Sequence, residues 1–387
     1  MFNTWLNRLE KKITRISDQE YTPDLFSFEQ VLVAASGLYR LGSKLRLRLY
    51  RSGLLRSGRL PCFVISIGNI MAGGVGKTPM AIHIAELLLK MGKRPVVISR
   101  GYKGSLGPVP RIVSDGSTLF LDARKAGDEP YMMARRKRFP VVVGKNRYLA
   151  GKLAIEQLNP DVIVLDDAFS HLGLERDLDI LLFDHDRPLG NKRMLPAGRL
   201  RETPAMSKDR AQAIILTRCP GEKGPQGQEA DPGCHRHGFG QQKRFAPYGQ
   251  IPFFKTGHSP FLLQFLPRGK KSDQATGDPE RLRGRPGLLF SGIAKNESFR
   301  SAAEEMGVNV VDHLEFKDHY MYKRADILWI QERARQIGAD LIVTTEKDWV
   351  KLDRTFGWES DLAVIGIKIR FENEKAFEGF IRSRLNE

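Results

Sequence analysis

The sequence predicts an α/β protein built on a mostly parallel sheet flanked by helices. It adds a smaller C-terminal α/β domain and an N-terminal amphipathic helical segment. Three observations carry this. Short Val/Ile/Leu-rich runs ("CFVISIG", "RPVVISRG", "FPVVVG", "DVIVLDD", "DILLFD", "AQAIILTR") alternate with helix-length stretches such as residues 79–91 and 147–158. Continuous apolarity over four to seven residues suits strands covered on both faces, and strand–helix alternation suits parallel crossovers. One strand breaks into glycines and then opens a helix, "ISIGNIMAGGVGKTPMAIHIAELLLK". The alternation lapses near Pro220 and resumes at Gly287 with "GLLFSGI", "GVNVVDH", "ADLIVTT" and "LAVIGIKI".

The chain divides accordingly into residues 1–60, 61–220, 221–285 and 286–387. The first segment lacks the apolar core of a secretory signal, and no apolar run in the chain reaches the roughly 18 residues that span a bilayer. Residues 31–60 contain seven Lys or Arg and no acid. On a helix, Leu38, Leu41, Leu45 and Leu49 share a face that Arg40, Lys44 and Arg51 avoid, while Leu47 falls on the polar side. Two readings stay open: a helix packed on the domain, or a basic amphipathic surface resting on anionic lipid. Residues 221–242 are rich in Gly, Pro and Gln and read as an insertion. With the second polar stretch that follows, they make 221–285 an insertion and linker.

The 387 residues carry a formal net charge of +17, which points to an acidic partner: nucleic acid, an anionic membrane or a phosphorylated substrate. Three cysteines are too few for a disulfide framework. Cys234, His235 and His237 sit together, but no CxxC pair completes a four-ligand zinc set.

The glycine break is the informative motif. In Met71, Ala72, Gly73, Gly74, Val75, Gly76, Lys77 and Thr78, glycines let backbone N–H groups wrap a phosphate without intervening side chains. Lys77 reaches the β/γ oxygens, Thr78 offers a hydroxyl to Mg²⁺, and the helix start adds a favourable dipole. The strict P-loop pattern has glycine where Met71 stands. A second metal anchor is expected on a neighbouring strand, and "DVIVLDD" supplies Asp166 and Asp167 at its C-terminal end. Other candidate loops are "SRGYKG" with Arg100 and Tyr102, "AGDEP" with Asp128 as helix N-cap or general base, "FKDHYMY" with Asp318 and His319, and "TTEKDWVKL".

In this order the pieces "GNIMAGGVGKTP", "SRGYKG", "AGDEPYMMA", "VIVLDDAFSHLGLERDLDILLFD", "LPAGRLRE", "FSGIAKNESF", "FKDHYMY" and "TTEKDWVKL" resemble the tetraacyldisaccharide 4'-kinases, the lipid A 4'-kinases of Gram-negative bacteria. The resemblance implies transfer of the γ-phosphate of ATP, with Mg²⁺, to the 4'-hydroxyl of a tetraacylated glucosamine disaccharide 1-phosphate. It implies a peripheral enzyme on the cytoplasmic face of the inner membrane, whose anionic surface and acylated substrate give residues 31–60 a purpose. It makes Asp128 the base, His319 the group that orients or tunes it, and Lys77 the stabiliser of phosphoryl charge. Thr78 with Asp166 or Asp167 would hold Mg²⁺, and Arg100, Tyr102 and His171 become candidates for contacting nucleotide or sugar phosphate. Ala168, Ser170, Tyr320 and Val75 depart from the family's usual residues without removing a group the chemistry requires. The competing reading is a basic P-loop ATPase or switch acting on nucleic acid. It would need basic residues interleaved with aromatics, whereas the densest basic run here is interleaved with leucine, so no nucleic-acid partner is expected.

Overall fold

The computed structural model describes residues 13, 16, 17, 19, 21–24, 27–220, 245–269, 278–352 and 356–386. Cys234, His235, His237 and the 221–242 insertion lie outside the described residues. Strands β1 (Phe63–Gly68), β2 (Pro95–Ser99), β3 (Arg111–Ser114), β4 (Val141–Val143), β5 (Val162–Asp166), β6 (Leu178–Asp184), β7 (Ala213–Thr217), β8 (Phe253–Leu266), β9 (Pro286–Ser291), β10 (Asn309–Glu315), β11 (Leu341–Thr345) and β12 (Asp361–Phe371) form one sheet. Its order is β10-β9-β11-β12-β8-β7-β6-β1-β5-β2-β4-β3. All pairings are parallel except β12–β8 and β3–β4. The apolar runs explain this: β2, β5, β6 and β7 are buried at every residue, as helix-covered parallel strands must be.

Among the described residues the α-helices are α1 (Phe28–Arg51), α2 (Lys77–Lys90), α3 (Ala123–Ala126), α4 (Asp128–Arg135), α5 (Arg147–Leu158), α6 (Pro204–Ser207), α7 (Asn296–Glu305), α8 (Arg324–Gln336), α9 (Glu346–Trp349) and α10 (Glu374–Asn386). α5 keeps the predicted bounds because Asn146 caps it, accepting from the amides of Tyr148 and Leu149. α2 begins two residues before the predicted start, because Gly76, at φ 86°, turns the chain into the helix at Lys77.

Two expectations need correction. Residues 253–266 are not linker. They form β8, whose first residues pair in parallel with β7 and whose remainder runs antiparallel to β12, joining the two halves of the sheet. The N-terminal α1 also meets the protein differently from its helical-wheel reading. Leu32, Ser36 and Leu47 are buried, with Leu47 packed among Ile70, Met71 and Phe169, while Leu38, Leu41 and Leu45 are 73%, 66% and 55% exposed. The residue that spoiled the apolar stripe is the one that anchors the helix, and the stripe itself faces outward. Ser36 locks the inner face by donating to the Met194 carbonyl at 2.7 Å and accepting from the Ala197 amide at 3.0 Å.

The C-terminal helix returns to the first half. Phe377 and Ile381 are fully buried in the cluster that also holds Ile82 and Leu87 of α2, and Phe377 stacks on Phe371 at 4.1 Å between centroids. Strand ends from both halves thereby line one cleft of about 3020 Å³.

Candidate active site

The glycine loop lies between the end of β1 and α2. The Met71 amide donates to Asn69 Oδ1 at 3.0 Å and the Ala72 amide to the Arg199 carbonyl at 2.8 Å, so these two amides shape the loop and are not free to meet a phosphate. From Gly73 to Thr78 no amide meets an acceptor among the described residues. Gly73 has φ 134°, in the region that favours glycine. Lys77 Nζ folds back to the Gly73 carbonyl at 3.1 Å and stands 3.6 Å from Asp167 Oδ1. The loop is braced from below by Thr217 Oγ1, which donates to the Val75 carbonyl at 2.9 Å. It is braced from the side by Arg218, which donates to the Gly74 carbonyl at 2.7 Å. Arg218 also pairs with Asp184, which takes Lys295 Nζ from the other half at 2.8 Å.

The paired carboxylates separate into two environments. Asp166 ends β5 and is buried; its Oδ2 accepts from Thr78 Oγ1 at 3.1 Å, while its Oδ1 is buried without a partner. Burial first, then the charges of Glu129 and Asp167, push its carboxyl up to about 7, against the opposing pull of Lys77 and Thr78. Asp167 turns out of the strand at φ 49° and lies between Lys77 and Arg201, the latter at 3.5 Å. A buried carboxylate oxygen lacking any donor, next to a hydroxyl and under amides that suit phosphate, fits a hard divalent cation that shares oxygen ligands with a nucleotide.

Asp128 stands at the start of α4, buried and not itself among the residues lining the cleft, which its neighbour Glu129 and its partner His319 line. Gly127, at φ 92°, holds the cap position expected for Asp128, and a Cβ on Gly127 would lie 2.7 Å from the Tyr102 carbonyl. "AGDEP" and "SRGYKG" thus pack on each other through a glycine. Asp128 Oδ2 meets His319 Nδ1 at 2.8 Å, across 191 residues of sequence. Burial favours the neutral acid, but the His319 hydrogen bond and the charges of Lys347 and Lys351 together hold Asp128 below the usual carboxylate range. His319 itself sits at φ 62°, its amide donating to the Gly292 carbonyl at 3.2 Å and its ring edge-on to Tyr102 at 5.3 Å.

Arg100 and Tyr102 line the cleft beside the glycine loop. His171 is not among its lining residues. It lies with Arg147, Arg176, Arg46 and Arg100, where burial first and then these cations lower its pKa to about 4. Several contributors were not singled out from sequence. Arg147 is buried and donates to the carbonyls of Gly144 and Asp166. Arg201 stands within "LPAGRLRE", and Arg136 bridges to Glu346 at 2.9 Å from the opposite half. His258 of β8 lies with Nε2 3.2 Å from where a Cβ on Gly76 would stand. Only Arg201 had a signal, its place in a quoted motif; the others depend on how β8, β11 and α5 fold over the cleft.

A strand breaking into a glycine loop, a helix opening on Lys77 and Thr78, and paired carboxylates ending the adjacent strand define a P-loop nucleoside-triphosphate enzyme. The family model of the tetraacyldisaccharide-1-P 4'-kinases matches residues 28–386, and the chain belongs to that family. It is 38% identical to the tetraacyldisaccharide 4'-kinase of Syntrophus aciditrophicus (strain SB) over 371 residues, which cover 94% of this chain and 95% of that one. It is 43% identical to the namesake of Geobacter sulfurreducens, covering 83% and 84% of the two chains. The crystal structure of LpxK from Aquifex aeolicus in complex with ATP superposes with a TM-score of 0.70 at 31% identity, covering 93% of this chain and all of that one.

Proposed function

We propose that this protein transfers the γ-phosphate of ATP to the 4'-hydroxyl of a tetraacylated glucosamine disaccharide 1-phosphate. The observation that carries the reading is the pairing of a loop of free amides, Gly73 to Thr78, with an Asp128–His319 dyad whose His319 lines the same cleft. The amides and Lys77 hold the phosphates and stabilise charge on the transferring group. Mg²⁺ would be held by Thr78 and Asp166, with Asp167 in reserve beside Lys77, and would neutralise phosphate charge there. Asp128, kept ionised, takes the proton of the sugar hydroxyl as its oxygen bonds to phosphorus and ADP departs; a sugar hydroxyl is a weak acid, so this transfer comes late. Arg100 and Tyr102 stand where they could meet phosphate or sugar.

Substrate access supports a peripheral membrane enzyme. Among the described residues, no helix is long and apolar enough to cross a membrane. Yet α1 presents Leu38, Leu41 and Leu45 outward, with Arg40, Lys44 and Arg48 exposed around them. Such a helix lies in the interface of an anionic membrane, its leucines in the acyl boundary and its cations at the phosphates. Acyl chains leave a bilayer at a cost of roughly 0.8 kcal/mol per CH₂, so the enzyme comes to the lipid. The division of the chain belongs to this reading, with residues 253–266 counted in the sheet: a lipid-facing segment to residue 60, a nucleotide-binding part to residue 220, and a smaller part from residue 286 that supplies His319, the last two joined by β8.

Incubation with ATP, Mg²⁺ and the tetraacyldisaccharide 1-phosphate in micelles, followed by mass spectrometry, should show one added phosphate on the non-reducing sugar. Hydrolysis of ATP with no phosphorylated lipid would overturn the acceptor. Replacing Leu38, Leu41 and Leu45 together by serine should abolish flotation with anionic vesicles while leaving micellar turnover within a few-fold. Unchanged flotation would remove α1 from membrane binding.

A further inference from the structure

We infer that Lys347 is a positioning residue of the dyad: its ammonium group fixes the tautomer of His319, so that Asp128 and not the imidazole is the site that receives the substrate proton. This rests on the kinase reading above and assigns a role to the "TTEKDWVKL" motif, which that reading leaves unused.

The geometry is specific. Thr345 caps α9, accepting from the Asp348 amide, and α9, which follows β11, packs on α4 so that the Lys347 side chain reaches the dyad. Lys347 Nζ lies 3.3 Å from His319 Nε2, 3.1 Å from Asp318 Oδ1 and 3.5 Å from Glu129 Oε1. Burial works against its charge, but Glu129, Asp128 and Asp318 together outweigh burial and hold it protonated. An ammonium has three donors and no acceptor. The nitrogen facing it must therefore offer a lone pair, which puts the imidazole proton on Nδ1, where it is donated to Asp128 Oδ2. With its Nε2 lone pair engaged, His319 cannot accept a proton from a hydroxyl in the cleft, and Asp128 stays an acceptor-only carboxylate.

The base of this arrangement is tied down independently. Asp348 is fully buried, pairs with Lys351 at 2.7 Å, and accepts from the Gly292 amide and Thr345 Oγ1. Gly292 in turn holds the His319 amide, so the imidazole and the lysine that faces it are fixed to one frame. The charged and titratable groups around the dyad are Glu129 from α4, Tyr102 and Lys103 from the loop after β2, Asp318 beside His319, and Lys347 and Lys351 from the segment after β11.

The test is the pH dependence of turnover for the wild type, Lys347→Met and Lys347→Arg in micelles. Removing the ammonium frees His319 Nε2 to take a proton and withdraws a cation from Asp128. The acid limb of the kcat profile of Lys347→Met should therefore move to higher pH by about one unit, and kcat at neutral pH should fall on the order of tenfold. Lys347→Arg should recover most of both. Fluorescent-nucleotide affinity and thermal midpoint, measured in parallel, should stay near wild type. A uniform loss at all pH values with the acid limb unmoved would overturn the inference and leave Lys347 a structural residue. A variant that fails to fold transfers the decision to Lys347→Gln read the same way. Inactive wild-type protein would instead sink the kinase reading, so the two failures are distinguishable.

Discussion

The glycine loop and His319 of the Asp128–His319 dyad line one cleft, but loop and dyad are assembled in opposite ways. The loop is contiguous: residues 73–78 and the helix they open bring the amides, lysine and threonine in one stretch, and distant Thr217 and Arg218 only brace it. The dyad joins residues 191 apart and exists only because β8 carries the sheet from one half into the other. The difference teaches that nucleotide binding is a local property of this chain, whereas phosphoryl acceptance is a property of how its halves close.

Substitutions can break that distinction. The largest effect is expected for Lys77→Ala, which removes a cation aimed at the phosphates. Turnover should fall by about a thousandfold or more, and ATP affinity should fall with it. Asp128→Asn keeps shape and removes the proton acceptor. Turnover should drop by about 10²- to 10⁴-fold while ATP affinity, read by nucleotide fluorescence, stays within about twofold. If both variants lost nucleotide affinity equally, the two sites would be one unit and the comparison would fail.

Arg136→Met sharpens the same contrast without touching either site. Arg136 and Glu346 tie the halves together at 2.9 Å, with side chains only 14% and 11% exposed. Burial pushes the Glu346 carboxyl up even with the Arg136 partner present, so its loss leaves an unfavourable buried acid next to Lys347. Turnover should fall about tenfold through loss of dyad alignment, with ATP affinity unchanged. Equal losses in both would mean that the clasp serves the whole fold and not the closure.

Legibility follows the same line. Glycines, Lys77, Thr78 and the strand ending in Asp166 and Asp167 were readable because a phosphate cradle imposes residue types at fixed spacing. The apolar runs gave the strands, since full burial on both faces leaves no alternation to misread. What failed was non-local. β8 was read as linker because its first half, "FFKTGHSP", carries polar residues that face the cleft, a signature indistinguishable from a loop. Leu47 looked misplaced on the helical wheel because α1 docks on a narrow stripe and leaves its leucines outside. Lys347 lay in a noted motif, but nothing in spacing could show that its ammonium meets a histidine 28 residues upstream.

The smallest expected effect concerns two histidines on the cradle side. His171 follows the paired aspartates, and His258 of β8 lies against Gly76; burial leads in holding each at a pKa of about 4, with nearby cations such as Arg147 and Arg218 adding to it. Their ordinary value is 6.5, so between pH 6.5 and 4 the unfolded chain takes up protons that the folded chain refuses. Both therefore contribute a loss of stability as pH falls through that window, fully felt below about 4. Asp166 acts in the other direction, because a carboxyl raised to about 7 binds its proton in the folded state first and stabilises as pH falls. The net slope alone is thus uninformative, and the comparison must be between variants. In EDTA, urea midpoints from pH 7 to 5 should decline less steeply for His171→Asn and for His258→Asn than for wild type, and least for the pair. Asp166→Asn should steepen the decline. Identical slopes in all five proteins would mean that the cradle side titrates like exposed chain, and the contrast between a contiguous cradle and an assembled dyad would lose its electrostatic basis.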